Sequence, residues 1–230
     1  MQKVVLITGG SSGIGKSIGE FLHLRGFVVY GTSRNPERVL NSVFPLITLD
    51  VRNVDSIHKA VANIIATSGR LDIVINNAGV GITGPLEEIP MEEIKNNFET
   101  NFFGPIEVMR AALPQMRLQK SGLIINITSI AGYMGLPYRS VYSASKGALE
   151  LITESLRMEV KSFGIQITNV APGDFATNIA SGRFHAPVIK GSAYEIPYGN
   201  LIRLNTKLNV ILEYQEEQEK KKKADPQNKN

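Results

Sequence analysis

The chain has 230 residues, of which 43% are hydrophobic and 20% charged, a size and composition typical of one soluble α/β domain or at most two small ones. Its formal net charge is +4, and no stripe of basic and aromatic residues accompanies this excess, so we expect no nucleic-acid partner. The sequence has no cysteine, which excludes disulfides, thiolate metal sites and cysteine nucleophiles.

The amino terminus leads directly into an apolar strand and a glycine-rich loop, so we expect no signal peptide. No apolar run approaches the roughly 20 residues that a membrane span requires, and we expect no membrane-spanning segment. No cluster of histidine and acidic residues has metal-ligand spacing, so we expect no metal. Together these features predict a cytoplasmic protein.

Short apolar segments rich in β-branched residues alternate with segments of helical periodicity along most of the chain. The predicted strands are residues 4–7, 27–32, 46–49, 72–75, 122–127 and 165–170. Helical periodicity is found from after Gly15 to about residue 24, over 54–67 and over 142–163. Residues 91–117 are predicted to be a long helical region that Pro105 and Pro114 disturb. This alternation predicts a doubly wound, parallel, Rossmann-type sheet with helices on both faces. We therefore predict a single three-layer α/β/α domain over residues 1–212.

The carboxyl-terminal part of the chain loses this alternation. Residues from about 178 to 200 contain glycines, prolines and aromatic side chains, and we predict an irregular lid there. Residues 201–214 could form a further helix. Residues 213–230 are polar and dense in charge, and we expect a solvated, disordered tail.

A glycine-rich loop joins the first predicted strand to the first predicted helix. Residues 8–15 read Thr-Gly-Gly-Ser-Ser-Gly-Ile-Gly. Glycine lets the backbone approach a phosphate closely, and the N–H groups that begin the following helix attract negative charge. In the first βα unit of a parallel sheet this pattern predicts the pyrophosphate site of a dinucleotide. The small residues at 77–79, after the fourth strand, would let a flat ring or a ribose pack on the backbone.

The end of the second strand indicates which dinucleotide is bound. An NAD site usually has an acidic residue there to accept from the ribose 2′-hydroxyl, whereas this chain has Ser33 and Arg34. A guanidinium and a hydroxyl both suit a 2′-phosphate, so we favour NADP(H). The alternative is a surface arginine that pairs with Glu37. Asp50, after the third strand, could accept from the adenine amino group or serve only as a turn residue.

A tyrosine and a lysine four residues apart open the fourth predicted helix. Tyr142 and Lys146 would share one helix face, where the ammonium would lower the pKa of the phenol, about 10 when free. Such a phenol could exchange a proton with a carbonyl or alcohol oxygen, and Ser129, after the fifth strand, could hydrogen-bond that oxygen. Asn101 lies inside a predicted helix, where asparagine is unfavourable. It could bend that helix or hold a water that links Lys146 to solvent.

These segments, in this order and spacing over roughly residues 3–180, resemble the short-chain dehydrogenases/reductases of the compact, single-domain kind. The resemblance implies a catalytic tetrad of Asn101, Ser129, Tyr142 and Lys146. It also implies that Lys146 binds the nicotinamide ribose and that the 172–177 loop holds the nicotinamide amide. The cofactor-binding residues expected on this basis are Gly9, Ser11, Ser12, Gly13, Ile14, Gly15, Ser33, Arg34, Asp50, Val51, Asn77, Ala78, Gly79, Tyr142, Lys146, Pro172, Gly173 and Thr177.

Within that family, residues 133–137 and 158–161 are similar to hydroxysteroid dehydrogenases and ketosphinganine reductases, which act on large lipophilic carbonyl compounds. The expected function is NADP(H)-dependent interconversion of a ketone and a secondary alcohol. An NADP(H)-binding sensor or scaffold without catalytic activity is the alternative. The resemblance also implies a homodimer or homotetramer that contacts through the helices near 91–117 and 142–163. It further implies a seventh strand, which we do not find after residue 200, so we expect a truncated chain or missing residues.

Overall fold

A computed structural model of the protein describes residues 2–173 and 182–204. The chain divides into two compact units, Met1–His185 and Ala186–Asn230. Thr177, residues 178–181 of the predicted lid and the predicted tail at 213–230 lie outside the described residues. The single domain expected over residues 1–212 stays a prediction.

The first unit contains a six-stranded sheet in which every neighbouring pair is parallel. In chain order the strands are β1 (Val4–Ile7), β2 (Val28–Ser33), β3 (Leu46–Thr48), β4 (Ile73–Asn76), β5 (Ile82–Thr83), β6 (Gly122–Ile127), β7 (Ile165–Val170) and β8 (Phe184–His185). The sheet order is β3-β2-β1-β4-β6-β7, while β5 and β8 form a separate parallel pair. The order reverses between β1 and β4, which is the switch point of a doubly wound sheet, as predicted.

Five α-helices connect these strands: α1 (Gly13–His23), α2 (Val54–Ser68), α3 (Met91–Phe98), α4 (Gly104–Gln119) and α5 (Ser140–Val160). Local sequence defines both ends of α2. The Asn53 side chain accepts a hydrogen bond from Ser56 N at 2.9 Å at the start of that helix. Gly69 ends it in the left-handed region, with φ of 70°.

The central strand β1 buries both of its faces, and its alternate residues point into different hydrophobic clusters. In β1, Val4 and Leu6 pack into a cluster with residues of α2, α4 and α5, whereas Val5 and Ile7 pack with residues of α1. Full burial of each such side chain stabilises the fold by about 1.5–3 kcal/mol. The two clusters hold the parallel strands so that their carboxyl ends lie at one edge, where ligands bind in such sheets.

The region predicted over residues 91–117 is helical but interrupted, and the interruption lies at Asn101, for which a bend was one of the two predicted roles. A π-helical turn, Glu99–Phe103, separates α3 from α4, and α4 runs on to Gln119. Asn101 lies in the middle of this turn and is fully buried. Its side chain bonds outside the helix, to the backbone of Val80, and such inserted side chains commonly accompany a local change of helical winding.

Other element boundaries differ by a few residues from the sequence-based expectation. The strands predicted at 27–32 and 72–75 begin and end one residue later, and α5 begins at Ser140. Residues 195–204 are helical, so the irregular structure predicted up to residue 200 was wrong at 195–200. Pro197 suggested a loop, but proline is tolerated in the first helical turn, where its missing N–H would have no helical partner.

Candidate active site

The β1–α1 loop has the compact backbone that its glycines predict. Gly9 and Gly13 have φ of 65° and 52°, in the left-handed region that favours glycine. Gly15 is required for a different reason, because a Cβ there would lie 2.4 Å from both Asn77 Nδ2 and Gly9 O. The start of α1 is therefore packed directly against the loops that follow β1 and β4.

The amino terminus of α1 suits a phosphate. Ser12 precedes the helix with extended backbone, its side chain makes no capping hydrogen bond, and the first turn has no acidic residue. The first N–H groups of the helix, those of Gly13, Ile14 and Gly15, have no acceptor within the helix and carry partial positive charge. Together with the adjacent Ser11, these groups fit the pyrophosphate of a dinucleotide.

Thr8 ties the loops after β1 and β4 together. Its Oγ1 accepts hydrogen bonds from Asn77 N at 2.9 Å and Ala78 N at 3.0 Å. Asn77 Nδ2 in turn donates to Thr8 O and Gly9 O, at 3.0 and 3.1 Å. The amide nitrogen of Asn77 is thus used within the protein, where it fixes the backbone of the predicted cofactor site, and contact of Asn77 with the cofactor stays a prediction.

The end of β2 leaves one basic side chain exposed. Ser33 Oγ accepts from Asn35 N at 3.2 Å. Arg34 is exposed, and it has no ion-pair partner among the described residues. Glu37 pairs with Arg38, Nε to Oε1 at 3.9 Å, so the alternative pairing of Arg34 with Glu37 was wrong.

The loop after β3 shows the turn role that was one of two possibilities for Asp50. Its Oδ1 accepts from Arg52 N at 3.0 Å and lies 3.6 Å from Arg52 Nε. Val51 is half-buried, and a Cβ on Gly104 would lie 2.8 Å from its carbonyl oxygen. This loop therefore rests against the start of α4, and contact of Asp50 and Val51 with adenine stays a prediction.

Tyr142 and Lys146 lie on successive turns of α5, near its start. Tyr142 is half-buried, whereas Lys146 is 4% exposed and its Nζ donates to Ile127 O at 2.9 Å, where β6 ends. Burial lowers the pKa of Lys146 from 10.5 to about 8, and the negative charge of Glu150 acts in the opposite direction. The lysine is thus a buried cation close to its titration point at neutral to mildly alkaline pH.

Ser129 lies in the loop that β6 places against α5. Its Oγ accepts from Ala131 N at 3.2 Å, which starts a short 3-10 turn at Ile130–Gly132. A Cβ on Gly132 would lie 3.1 Å from Gly147 N, so this turn contacts α5 immediately after Lys146. The backbone contact brings Ser129 to the same edge of the sheet as the tyrosine–lysine pair.

Asn101 joins this group from the π-helical turn. Its Oδ1 accepts from Val80 N and its Nδ2 donates to Val80 O, both at 2.9 Å. A Cβ on Gly79 would lie 3.2 Å from Asn101 Oδ1 and 3.5 Å from Lys146 Nζ. The structure therefore brings Gly79, Asn101 and Lys146 together, although they come from three separate parts of the chain.

The loop after β7 is described only in part. Pro172 O accepts from Ile130 N at 3.2 Å, and a Cβ on Gly173 would lie 3.9 Å from Ile130 Cδ1. These contacts place Pro172 and Gly173 beside the loop that carries Ser129. Thr177 lies outside the described residues.

Comparison with known proteins identifies the family. A family model described as short chain dehydrogenase matches residues 3–187. The chain belongs to the short-chain dehydrogenase family. A curated relative, the 3-ketodihydrosphingosine reductase of Bacteroides thetaiotaomicron, is 47% identical over 181 residues, which cover 79% of this chain and 67% of that protein.

Solved structures of other short-chain dehydrogenases share the fold. A short-chain dehydrogenase from Streptomyces avermitilis superposes with a TM-score of 0.79 at 36% identity and covers 87% of this chain and 76% of its own. ElxO with NADP bound has a TM-score of 0.74 at 33% identity and covers 79% of each chain. These neighbours confirm the Rossmann-type α/β fold predicted from the sequence.

In this short-chain dehydrogenase, the sequence pattern did not reveal one buried acidic residue near the tyrosine–lysine pair. Glu150 is 6% exposed, and its Oε2 accepts from Tyr133 Oη at 3.2 Å and from Asn169 Nδ2. Its spacing was the available signal, because Tyr142, Lys146 and Glu150 follow one another at intervals of four on one helix face. A buried carboxylate is unfavourable without partners. The burial of Glu150 beside Lys146 therefore points to a role for its charge at this site.

Within residues 2–173 and 182–204, no group of three or more histidine or acidic side chains is arranged to hold a metal ion. In the same part of the chain, no helix combines the length and the apolar character needed to cross a membrane.

Proposed function

We propose that this short-chain dehydrogenase uses NADP(H) to interconvert a ketone and a secondary alcohol, with Tyr142 as the general acid and base. The observation that carries the proposal is the convergence of Gly79, Asn101 and Lys146 at the carboxyl ends of β4 and β6. Tyr142 lies one helical turn before Lys146, with the loop of Ser129 packed on the same helix. Oxidoreductases of this family provide the reaction class.

The preference for NADP(H) over NAD(H) is supported by the end of β2. Arg34 is exposed there without an ion-pair partner among the described residues, and no carboxylate occupies the end of the strand. A 2′-phosphate would supply the anion that a guanidinium binds best, whereas a ribose 2′-hydroxyl would gain little from it. The solved structure of ElxO with NADP bound is consistent with this preference.

When bound, NADPH would supply the hydride for the carbonyl carbon. The Tyr142 hydroxyl would donate its proton to the carbonyl oxygen, and the Lys146 ammonium would stabilise the resulting phenolate and bind the nicotinamide ribose. Ser129 would donate a hydrogen bond to the same oxygen, where negative charge develops. In the oxidative direction the Tyr142 phenolate would accept the proton of the alcohol.

The substrate that we propose is a lipophilic ketone, and 3-ketodihydrosphingosine is the first compound to test. The 3-ketodihydrosphingosine reductase of Bacteroides thetaiotaomicron is 47% identical to this chain over 181 residues. Three large apolar side chains follow Ser129 within five residues: Ile130, Tyr133 and Met134 are 49%, 65% and 58% exposed. Exposed apolar surface beside a reactive site suits a hydrocarbon substrate. A cytoplasmic location and a homodimeric or homotetrameric state complete the proposal.

The variant Tyr142→Phe tests the assigned chemistry. It removes only the hydroxyl, so we expect NADPH binding within about twofold of the unchanged protein and a kcat lower by about 10²–10⁴-fold. Turnover is measured by NADPH absorbance with 3-ketodihydrosphingosine, and binding by NADPH fluorescence. Tyr30→Phe is the matched control, because the Tyr30 hydroxyl contacts Ser68 at 2.9 Å, away from the site.

Undiminished turnover in Tyr142→Phe would reject the role of the phenol. A different result would reject catalysis altogether: tight NADPH binding without oxidation of NADPH by sphingoid, steroid or small ketones. That outcome would favour the cofactor sensor.

A further inference from the structure

Asn97 is a buried amide that no part of the proposed mechanism uses. It lies in α3, one helical turn before Asn101, and is 2% exposed. A buried polar side chain loses its hydration, so its burial is unfavourable unless its donors and acceptors are paired. The hydrogen-bond partners of the Asn97 side chain are residues of the candidate active site.

The Asn97 side chain contacts three segments at once. Its Oδ1 accepts from Ser145 Oγ at 2.9 Å and from Asn101 Nδ2 at 3.3 Å. Its Nδ2 donates to Val80 O at 3.1 Å, the same carbonyl that accepts from Asn101 Nδ2. These partners also fix which end of the Asn97 amide is oxygen, because Val80 O can only accept.

Ser145 links this amide to the catalytic helix. It is fully buried and lies between Tyr142 and Lys146 in the sequence of α5. Its hydroxyl has one proton, which can go to Asn97 Oδ1 or to Tyr142 O, both at 2.9 Å. With Asn97 present, the hydroxyl has an acceptor outside its own helix, and α3 is thereby bonded to the turn that carries both reacting groups.

We propose that Asn97 is a positioning residue for the ketone reductase reaction, because it holds the Asn101 side chain and the Tyr142–Lys146 turn of α5 in one arrangement. The inference rests on the proposed function. Asn97 acts on the reaction through Ser145 and Asn101 rather than by contact with substrate or cofactor. Small displacements of reacting groups reduce rates steeply, which gives this distant amide its influence on turnover.

The variant Asn97→Ala removes all three hydrogen bonds and leaves the residues of the cofactor cleft unchanged. We expect kcat for 3-ketodihydrosphingosine to fall by about 10–100-fold, while the Kd for NADPH stays within about twofold. The control is Asn96→Ala on the same helix, since no hydrogen bond of the Asn96 side chain is found among the described residues. We expect the control to retain the kcat of the unchanged protein.

A double-variant comparison separates positioning from general stability. If Asn97 acts through Ser145, Asn97→Ala combined with Ser145→Ala lowers kcat no further than the more damaging single change. Independent effects would instead multiply and would contradict the proposed linkage. Melting temperatures are recorded for each protein, and Asn97→Ser, which keeps a hydrogen-bonding group in the buried site, serves if Asn97→Ala does not fold.

Two outcomes would overturn the role of Asn97 and leave the proposed function intact. One is a kcat for Asn97→Ala within about twofold of the unchanged protein, when Tyr142→Phe is inactive. The other is an equal loss of NADPH binding and turnover, which a purely structural role would produce. An unchanged protein that reduces no ketone would reject the proposed function, and the inference with it.

Discussion

The surrounding structure strongly alters the chemistry of Lys146. Burial alone would favour the neutral amine, and the pKa of about 8 is the result of that burial partly offset by Glu150. A neutral lysine no longer stabilises the Tyr142 phenolate. The rate of ketone reduction should therefore decline as the pH rises through the titration of Lys146.

Glu150→Gln is expected to move that decline to lower pH. The change removes the negative charge that favours the ammonium, so the pKa of Lys146 falls further, while the amide oxygen can still accept from Tyr133 and Asn169. The measurement is kcat/KM for ketone reduction between about pH 6 and 10. Glu154→Gln, at an exposed position one turn further along α5, is the control. An alkaline limb that does not move in Glu150→Gln would contradict the electrostatic role.

In the proposed function, Arg34 is the residue that selects NADP(H) over NAD(H). A charge-assisted hydrogen bond contributes about 1.5–3 kcal/mol, so Arg34→Ala should raise the KM for NADPH by about 10–100-fold and leave the KM for NADH nearly unchanged. The exposed Arg38, which pairs with Glu37, provides the control Arg38→Ala. Equal losses with both cofactors would show that Arg34 does not bind the 2′-phosphate.

At the scale of elements, the junction of α1 with the β1 and β4 loops is the most sterically restricted contact in the cofactor cleft. Gly15→Ala would place a methyl group 2.4 Å from Asn77 Nδ2 and Gly9 O, so the helix start must move. We expect a loss of stability of about 1–3 kcal/mol and weaker NADPH binding. Thermal unfolding and fluorescence titration measure both effects.

Gly135→Ala is the matched control for that junction, because a Cβ at Gly135 would meet no atom within 4 Å. Its melting temperature and NADPH affinity should remain those of the unchanged protein. If Gly15→Ala bound NADPH equally well, the phosphate site would not lie at the amino terminus of α1.

Elements also show how far local sequence can predict structure. The strand–helix alternation of residues 4–127 followed from periodicity, because burial on both sheet faces selects continuous apolar strands. The unfavourable Asn101 raised the possibility of a bend, but the π-helical turn at Glu99–Phe103 did not follow from periodicity. That π-helical turn accompanies two hydrogen bonds between Asn101 and Val80, 21 positions apart, and local propensity carries no information about such a partner.

At the scale of the whole molecule, α5 presents a surface that suits a second subunit. Leu151 and Met158 are 69% and 74% exposed and lie seven residues apart, on one helix face. Leu151→Glu should place a charge in the proposed contact and shift the protein toward the monomer, as measured by light scattering after gel filtration. Leu24→Glu changes a leucine immediately after α1 that is 81% exposed, and it should leave the mass unaltered. A monomeric unchanged protein would reject the oligomer.

The sequence by itself determined the fold class and the positions of the candidate site residues, because glycine loops, strand ends and the Tyr142–Lys146 spacing are local patterns. Only the tertiary structure revealed that Lys146 is buried beside Glu150 and that Asn97 bonds Ser145, 48 positions away. The physical reason is that pKa shifts and buried hydrogen bonds depend on what surrounds a group after folding. Those surroundings come from distant parts of the chain, packed together by the two hydrophobic clusters of the sheet.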